Sequence, residues 1–393
     1  MIPYGKQHID EDDIQAVVDV LRNGALTQGP TIELFEQTVA DYVGAKYAVA
    51  VSSGTAALHL SAMVAGVGPG STLVTSPITF VASANAGLYV GGKVAFADVD
   101  PLTINMSPVA LAEVLKKNPN TKAVVPVHFA GLPCDMEAIK KLADRTGAVV
   151  IEDAAHALGA IYPSGRRVGC CENSVMTCFS FHPVKAIAAG EGGMITTNDE
   201  QVYRRLLRLR SHGIQKLDDS FLISTQAETD GITNTWYYEM QELGFHYRIT
   251  DIQCALALSQ FSKLEKFIAR RREIAKAYDR NFESVAFIRV AQPTGRDASG
   301  HHLYVVNIDF KAAGVSRAKL ILDLKKQGIG TQVHYIPVPM HPIYVNAGHT
   351  MSELPVATAY YEQALSIPLF YALTDHEQSF VASAIIETLR KSK

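Results

Sequence analysis

The chain has 393 residues, of which 19% are charged, and a net charge of −3 without a long basic run, so nucleic acid is not expected as a partner. No stretch of about 18 apolar residues predicts a membrane span, and the polar N-terminus lacks the apolar core of a signal peptide. The five cysteines are odd in number and show no C-x-x-C spacing, which indicates reduced thiols in a cytoplasmic protein rather than disulfides or a zinc site.

The first half of the sequence alternates short β-rich runs with helical patterns. Several of these runs are almost wholly apolar, as in strands that helices cover on both sheet faces. The predicted class is therefore α/β with a mostly parallel central sheet, and ligands of such sheets lie beyond the carboxyl ends of the strands. In chain order we predict strands at 47–51, 72–75, 94–98, 123–127, 149–151 and 175–181, and helices at 54–65, 81–88 and 136–145.

The second half departs from this alternation. Residues 214–243 are polar and irregular around an aromatic cluster at 236–238, and an insertion of this kind is usually functional or mobile. We predict a large domain over residues 1–250, including this insertion, and a smaller α+β domain over residues 251–393. The elements predicted after the insertion are a long helical stretch at 250–282, a strand at 302–308, a helix at 316–326, a strand at 331–335 and C-terminal helices.

A link rich in serine, threonine and glycine joins the first predicted strand to its helix. Glycine lets a phosphate approach the backbone, and the helix N-terminus presents unpaired N–H groups at its positive dipole end. Gly54, Thr55 and Ala56 could therefore cradle a phosphate group. The same residue types also make ordinary helix caps, so this motif alone leaves both explanations open.

Asp153 and His156 follow an apolar run that predicts a strand. A carboxylate at the carboxyl end of a strand could keep a pyridine nitrogen protonated, which makes the ring of pyridoxal 5′-phosphate (PLP) an electron sink. His156 could donate a hydrogen bond to a ring oxygen. Read alone, the two residues are better explained as a capping aspartate and a satisfied core histidine.

Lys185 lies between an apolar run and a glycine-rich one, 32 residues after Asp153. Desolvation disfavours the ammonium form of a buried lysine, and a neutral amine forms a Schiff base with a carbonyl such as that of PLP. A single lysine is usually a solvated surface group. However, Ser180 could add a phosphate hydroxyl, and Phe80 could stack on a flat ring, although an isolated phenylalanine is more often plain core. Together, in this order, these residues predict one PLP site.

Several motifs along the chain occur together in one enzyme family. They are 26–29 (LTQG), 53–58 (SGTAAL), 152–156 (EDAAH), Lys185 followed by 190–193 (GEGG), and 247–253 (YRITDIQ). Over nearly its whole length the sequence thus resembles the DegT/StrS family of sugar-nucleotide aminotransferases, which are PLP enzymes of fold type I. Within it the chain is most similar to the 4-aminotransferases of pseudaminic acid biosynthesis, on segments 180–185, 236–240, 302–304 and 332–335.

The resemblance implies a role for each candidate residue. Lys185 would hold PLP as a Schiff base and shuttle the proton, Asp153 would pair with the pyridine nitrogen, and His156 would lie near the ring hydroxyl, where the family often has glutamine. Phe80 would stack on the ring. The residues expected to bind the phosphate are Thr55, Ala56 and Ser180, and those expected to face the nucleotide sugar are Tyr4, Leu26, Thr27, Gly54, His334 and Tyr335.

One turn departs from the family pattern. Family members are homodimers with shared active sites, in which the turn that corresponds to 244–248 reaches the neighbour's PLP phosphate with an asparagine. This chain has His246 at that place. Because histidine can also donate an N–H bond, and a stronger one when it is protonated, we expect the contact to be kept.

The reaction that the resemblance implies transfers the amino group of L-glutamate, which leaves as 2-oxoglutarate, to C4 of a UDP-linked 4-keto-6-deoxy-N-acetylhexosamine. Four alternatives are weighed against it. Another nucleotide-sugar 3- or 4-aminotransferase and a non-catalytic PLP-binding regulator stay open, whereas a family sugar dehydratase would carry histidine in place of Lys185. A dinucleotide-binding fold is not supported, because the glycine run at 66–70 follows a predicted helix rather than a strand.

Overall fold

A seven-stranded sheet forms the centre of the protein. The structure is a computed structural model that describes residues 1–216 and 221–391. The sheet has the order β1-β7-β6-β5-β4-β2-β3, in which β7 runs antiparallel to β1 and β6 while the other neighbours are parallel. This confirms the predicted α/β class. The strands are β1 (Tyr47–Val51), β2 (Thr72–Thr75), β3 (Lys93–Phe96), β4 (Thr121–Val125), β5 (Val149–Asp153), β6 (Met176–Ser180) and β7 (Gly193–Thr197).

Helices cover both faces of this sheet. Successive strand residues point to opposite faces, so Val124 joins one hydrophobic core while Ala123 and Val125 join another. The helices of this part are α1 (Glu11–Asn23), α2 (Pro30–Val43), α3 (Gly54–Val64), α4 (Ala82–Tyr89), α5 (Pro108–Lys117), α6 (Met136–Thr146) and α7 (Glu200–Arg210). The glycine run at 66–70 forms turns after α3.

Local sequence explains where such a helix begins and ends. In α6 the Asp135 side chain accepts the N–H of Ala138, and Gly147 ends the helix in the left-handed conformation that glycine adopts without strain. Between these two caps, Met136, Ile139 and Ala143 are buried at helical spacing, so one face of α6 packs on the sheet.

The insertion at 214–243 contains only short elements. Its described parts are β8 (Ile214–Gln215), α8 (Ser224–Ala227), β9 (Glu228–Thr229), β10 (Ile232–Thr233) and β11 (Glu239–Met240). Asp218 and Asp219, which are part of the predicted irregular segment, lie outside the described residues. Large apolar side chains of the insertion face solvent, among them Leu222, Trp236 and Leu243.

A second, antiparallel sheet lies in the C-terminal part, with the strand order β12 (Ile288–Val290), β13 (Tyr304–Ile308) and β14 (Ala364–Ile367). The accompanying helices are α9 (Asp251–Phe261), α10 (Leu264–Phe282), α11 (Arg317–Lys326), α12 (Pro342–Asn346), α13 (Pro355–Gln363) and α14 (Asp375–Lys391). Helix α9 packs in the same hydrophobic core as Val124, whereas the residues from Ile274 of α10 onward belong to a separate core. The division at residue 250 stays a prediction. Across the described ranges, every helix is too short or too polar to cross a membrane.

The helical stretch predicted at 250–282 is confirmed; it consists of two helices, since α9 ends before Ser262 and α10 starts after Lys263. One expectation for this part was wrong. The strand expected at 331–335 is absent from the described structure, since only Gln332 forms an isolated bridge, to Ser366. Prolines at 337 and 339 have no N–H to donate to a neighbouring strand, so the chain leaves the sheet.

Candidate active site

A cavity of about 410 Å³ opens at the carboxyl edge of the central sheet. Ser53 follows β1, Phe80 follows β2, Asp153 ends β5 and Ser180 ends β6, so these residues meet where a ligand of a parallel sheet is expected. The structure brings most of the predicted site residues to the wall of this one cavity: Tyr4, Gly54, Thr55, Phe80, Asp153, His156, Ser180, Lys185, His334 and Tyr335.

The first turn of α3 forms one wall. A Cβ added at Gly54 would lie 2.9 Å from the Ser180 Cβ, so only glycine lets the two segments approach so closely. The amides of Gly54 and Thr55 belong to the first turn, which has no intrahelical acceptors. The Ala56 N–H instead donates to Ser53 Oγ (3.1 Å), and Ala56 is buried away from the cavity wall. We therefore define the candidate phosphate cradle as Gly54, Thr55 and the Ser180 hydroxyl.

The Asp153 carboxylate is held in a fixed orientation at the end of β5. It is buried, and it accepts hydrogen bonds from Ser83 Oγ (2.6 Å) and from the Ala155 N–H (3.1 Å). These two donors leave oxygen lone pairs for a ligand, since a carboxylate has about four acceptor sites. A cationic or protonated ring nitrogen in the cavity would find its partner here.

Lys185 is partly exposed to the cavity and otherwise enclosed. Its backbone N–H donates to the His182 carbonyl (2.8 Å), in the short turn after β6. Burial lowers the pKa of the Lys185 amine from the ordinary 10.5 to about 8, although the charge of Asp153 acts in the opposite direction. A substantial fraction of this amine is therefore neutral, and thus nucleophilic, at mildly alkaline pH.

Three imidazoles and a phenol also line the cavity. His156 Nε2 and the Tyr335 hydroxyl are hydrogen-bonded (3.0 Å), and the ring of His156 lies 4.3 Å from that of His302. Burial, and then the charge of Lys185, hold the pKa values of His156 and His334 below their usual range. These rings are therefore neutral hydrogen-bonding groups, and His156 Nδ1 has no hydrogen-bond partner among the described residues.

His302 is a site residue that sequence reasoning did not single out. It lines the cavity and is buried, and burial lowers its pKa as well. The signal for it in the sequence is the segment 302–304, which marks the family resemblance but does not by itself indicate a residue of the cavity.

The residues expected to face a sugar are only partly brought together. The Tyr4 ring lies 5.3 Å from that of His334, whose Nδ1 is hydrogen-bonded to Ser366 Oγ (2.8 Å). Phe80 is 57% exposed, at the mouth of the cavity. In contrast, Leu26, Thr27 and His246 do not line the cavity of their own chain: Leu26 is exposed, Thr27 bridges Thr250, and His246 bridges Ser211.

The donor set fits PLP. A side-chain-free cradle at Gly54 suits a phosphate, the buried Asp153 carboxylate suits a pyridinium nitrogen, and the Lys185 amine suits the aldehyde carbon. The exposed face of Phe80 is available to a flat ring.

Comparisons with known proteins agree with this chemistry. The model of the DegT/DnrJ/EryC1/StrS aminotransferase family matches residues 7–386. Spore coat polysaccharide biosynthesis protein SpsC of Bacillus subtilis is 39% identical, over 99% of this chain and 97% of SpsC.

Two solved structures are similar over nearly their whole length. PseC of Helicobacter pylori, an aminotransferase involved in pseudaminic acid biosynthesis, has a TM-score of 0.89 at 30% identity, and 99% of each chain is covered. The PLP form of Spr1654, a putative sugar aminotransferase of Streptococcus pneumoniae, has a TM-score of 0.88 at 28% identity, covering 100% of this chain and 99% of that one. The chain therefore belongs to the DegT/DnrJ/EryC1/StrS family and is a PLP-dependent sugar aminotransferase, which requires a keto-sugar and an amino donor.

Proposed function

We propose that the enzyme transfers the amino group of L-glutamate to C4 of a UDP-linked 4-keto-6-deoxy-N-acetylhexosamine, UDP-2-acetamido-2,6-dideoxy-β-L-arabino-hexos-4-ulose, in pseudaminic acid biosynthesis. The observation that carries the proposal is the likeness to PseC over 99% of both chains, combined with Lys185 and Asp153 in one cavity. Five buried thiols without a disulfide support a cytoplasmic location.

Within this proposal the cavity residues divide the work. When PLP is bound, it supplies an electron sink that stabilises negative charge at the carbon that loses a proton. The Lys185 amine removes the α-proton of the donor amino acid and later delivers a proton to C4 of the sugar. Asp153 keeps the ring nitrogen protonated, while Gly54, Thr55 and Ser180 hold the phosphate group.

The neutral side chains of the cavity would orient the substrates. The low pKa values of His156 and His334 keep further positive charge away from Lys185, which would otherwise lower the pKa of that amine still more. Tyr4, His334 and Tyr335 line the cavity, and we expect them to face the sugar.

A second copy of the chain would complete the site. The apolar side chains exposed on the insertion, with Trp236 at 74% and Leu243 at 74%, need a cover, and a homodimer contact would supply it. In that arrangement His246 of one copy contacts the phosphate group bound by the other. Leu26 and Thr27 would face the nucleotide sugar in the completed site.

Replacement of His246 by alanine is expected to weaken PLP binding by at least about tenfold, because a hydrogen bond to a charged phosphate is worth about 1.5–3 kcal/mol. Equilibrium dialysis of the apoenzyme against PLP measures the affinity. His376→Ala, on the exposed start of α14, is the matched control. Unchanged affinity in His246→Ala would rule the contact out.

Capture of PLP by the apoenzyme should follow the protonation of Lys185. The rate is expected to rise with pH and to level off above about 8, rather than near the ordinary lysine value of 10.5, because only the neutral amine attacks the aldehyde. Two pH units below the pKa the rate should be about 100-fold lower. Stopped-flow absorbance between pH 6 and 10.5 measures it, and a rate that still climbs beyond pH 9.5 would contradict the lowered pKa.

The substrate assignment is tested with a small panel of UDP- and dTDP-linked keto-sugars. The enzyme is incubated with PLP and ¹⁵N-labelled glutamate, and mass spectrometry and NMR locate the new amine. We expect the UDP-linked 4-keto sugar to be used best and to carry nitrogen at C4. Amination of a different keto-sugar, or at C3, would support the second candidate, a different nucleotide-sugar aminotransferase, which the 39% identity to SpsC favours.

A regulator that binds PLP without catalysis makes the opposite prediction. In a stopped-flow experiment with glutamate alone, the proposed aminotransferase converts the visible absorbance of the loaded enzyme to that of the amino form of the cofactor. A regulator would show no such change.

A further inference from the structure

Glu152, the residue before Asp153 in β5, carries a carboxylate that is fully buried on the sheet face away from the cavity. Its Oε1 atom accepts hydrogen bonds from Ser174 Oγ (2.5 Å) and Thr177 Oγ1 (2.9 Å). Its Oε2 atom accepts hydrogen bonds from His128 Nε2 (2.7 Å) and from the Tyr162 hydroxyl. All the acceptor positions of this carboxylate are therefore filled, each from a different residue.

The donors to Glu152 keep it ionised. Burial alone would raise the pKa of the Glu152 carboxyl, but the hydrogen bond and the charge of His128, together with the hydrogen bonds from Ser174 and Tyr162, outweigh burial and lower it. Burial alone would likewise lower the pKa of His128, but Cys134 and Glu152 raise it to about 10, so His128 and Glu152 stabilise each other as a buried pair. In the part of the chain that the structure describes, no lysine or arginine forms an ion pair with Glu152.

The loop that carries His128 also holds the backbone of Asp153. The His128 N–H donates to the Asp153 carbonyl (3.1 Å), and the Asp153 N–H donates to the Pro126 carbonyl (2.9 Å). On the other side, Thr177 is the register partner of Glu152 in β6. His128 thus contacts both residues of the strand end, Glu152 through its ring and Asp153 through its backbone.

We propose that Glu152 is a positioning residue for amino transfer: its carboxylate joins the loop after β4, the loop around Tyr162 and the start of β6 to the end of β5, so that the Asp153 carboxylate keeps its orientation in the cavity. The inference rests on the proposed role of Asp153 as the partner of the ring nitrogen. A buried carboxylate is costly unless donors surround it, and replacing the carboxylate leaves some of those donors unpaired.

Glu152→Gln tests this at nearly constant volume. The glutamine side chain has only one oxygen that accepts hydrogen bonds. Its NH₂ group therefore faces two of the side chains that donate to Glu152 in the wild-type protein. A displaced Asp153 would act less strongly on Lys185, whose pKa its charge raises. We therefore expect the pH midpoint of PLP capture by the apoenzyme to fall, and the glutamate half-reaction to slow by up to about 10²-fold.

A structural role alone would affect the melting temperature but not these two quantities. Glu36→Gln is the matched control. Glu36 is also buried, and its carboxylate accepts hydrogen bonds from the Ala50 N–H (2.7 Å) and from Arg210. It should lower the melting temperature and leave the capture midpoint unchanged. If Glu152→Gln behaves in the same way as this control, the positioning role is refuted.

Combination with Asp153→Asn gives the sharpest result. If Glu152 acts through Asp153, adding Glu152→Gln to Asp153→Asn should cause no further loss in the half-reaction, whereas independent effects would multiply. Should Glu152→Gln not fold, Tyr162→Phe removes a single donor, and a shift of the capture midpoint in the same direction is expected; no shift would overturn the proposal. A wild-type enzyme that fails the glutamate half-reaction would refute the proposed function instead. In that case the pH midpoint of PLP capture still tests the positioning role of Glu152.

Discussion

Replacement of Lys185 by alanine is expected to abolish the visible absorbance of bound PLP and to lower turnover by at least about 10²- to 10⁴-fold, the usual contribution of a general base. In the proposed mechanism the amine is both the nucleophile that captures the cofactor and the group that moves the proton, so both functions would be lost together. The fold should be kept, because the Lys185 side chain makes no hydrogen bond within the described residues. Absorbance and a coupled glutamate assay measure the two effects.

Lys140→Ala is a suitable control for this variant, because Lys140 forms an exposed pair with Asp144 on α6. It should retain both absorbance and turnover. Transamination that persists in Lys185→Ala at more than a few per cent of the wild-type rate would refute the assignment of the lysine. Loss of activity with a lowered melting temperature would point to misfolding instead.

Asp153→Asn is expected to lower turnover by about 10²- to 10³-fold, the usual effect of removing one preorganised electrostatic group. The amide fills the same space next to Ser83, but it cannot hold a ring nitrogen protonated. In the apoenzyme the same change should lower the pKa of Lys185 further, because the charge of Asp153 raises it. Cofactor capture should therefore level off at a lower pH, even though the loaded enzyme is slower.

These opposite effects on capture and turnover separate an electrostatic role from general damage. Asp98→Asn is the matched control, since Asp98 is a buried carboxylate that accepts the N–H groups of Val356 and Ala357 at the start of α13. It should reduce stability without moving the capture midpoint. An unchanged midpoint in Asp153→Asn would show that the two side chains do not interact through the cavity.

The sequence was sufficient to predict six of the seven strands of the central sheet and a PLP site at its edge. Lys185, Asp153 and the Gly54 link each follow a strand whose apolar composition was visible, and parallel strands place their carboxyl ends together. The type of fold and the shared cavity therefore follow from local patterns and one rule of sheet geometry.

Other parts of the site could not be predicted, because long-range pairing determines them. Strand β7 starts with Gly193, which belongs to the glycine-rich run after Lys185. That run predicted a turn and gave no sign of the strand. His302 lines the cavity only because the chain before β13 packs next to His156. The strand expected at 331–335 is not formed. The prolines that follow disfavour pairing with a neighbouring strand more strongly than the β-rich run before them favours it.

Strand β7 separates β1 from β6, yet Gly54 and Ser180 meet across it. This is possible because Gly193, which pairs with Val51 on one side and with Ser180 on the other, has no side chain: a Cβ there would lie 2.3 Å from the Ser53 carbonyl oxygen. The width of the phosphate cradle is therefore set by a residue that need not touch the ligand. To widen this cradle for a bulkier cofactor analogue, substitutions should therefore begin in β7, and not at Gly54 or Ser180 on either side of it.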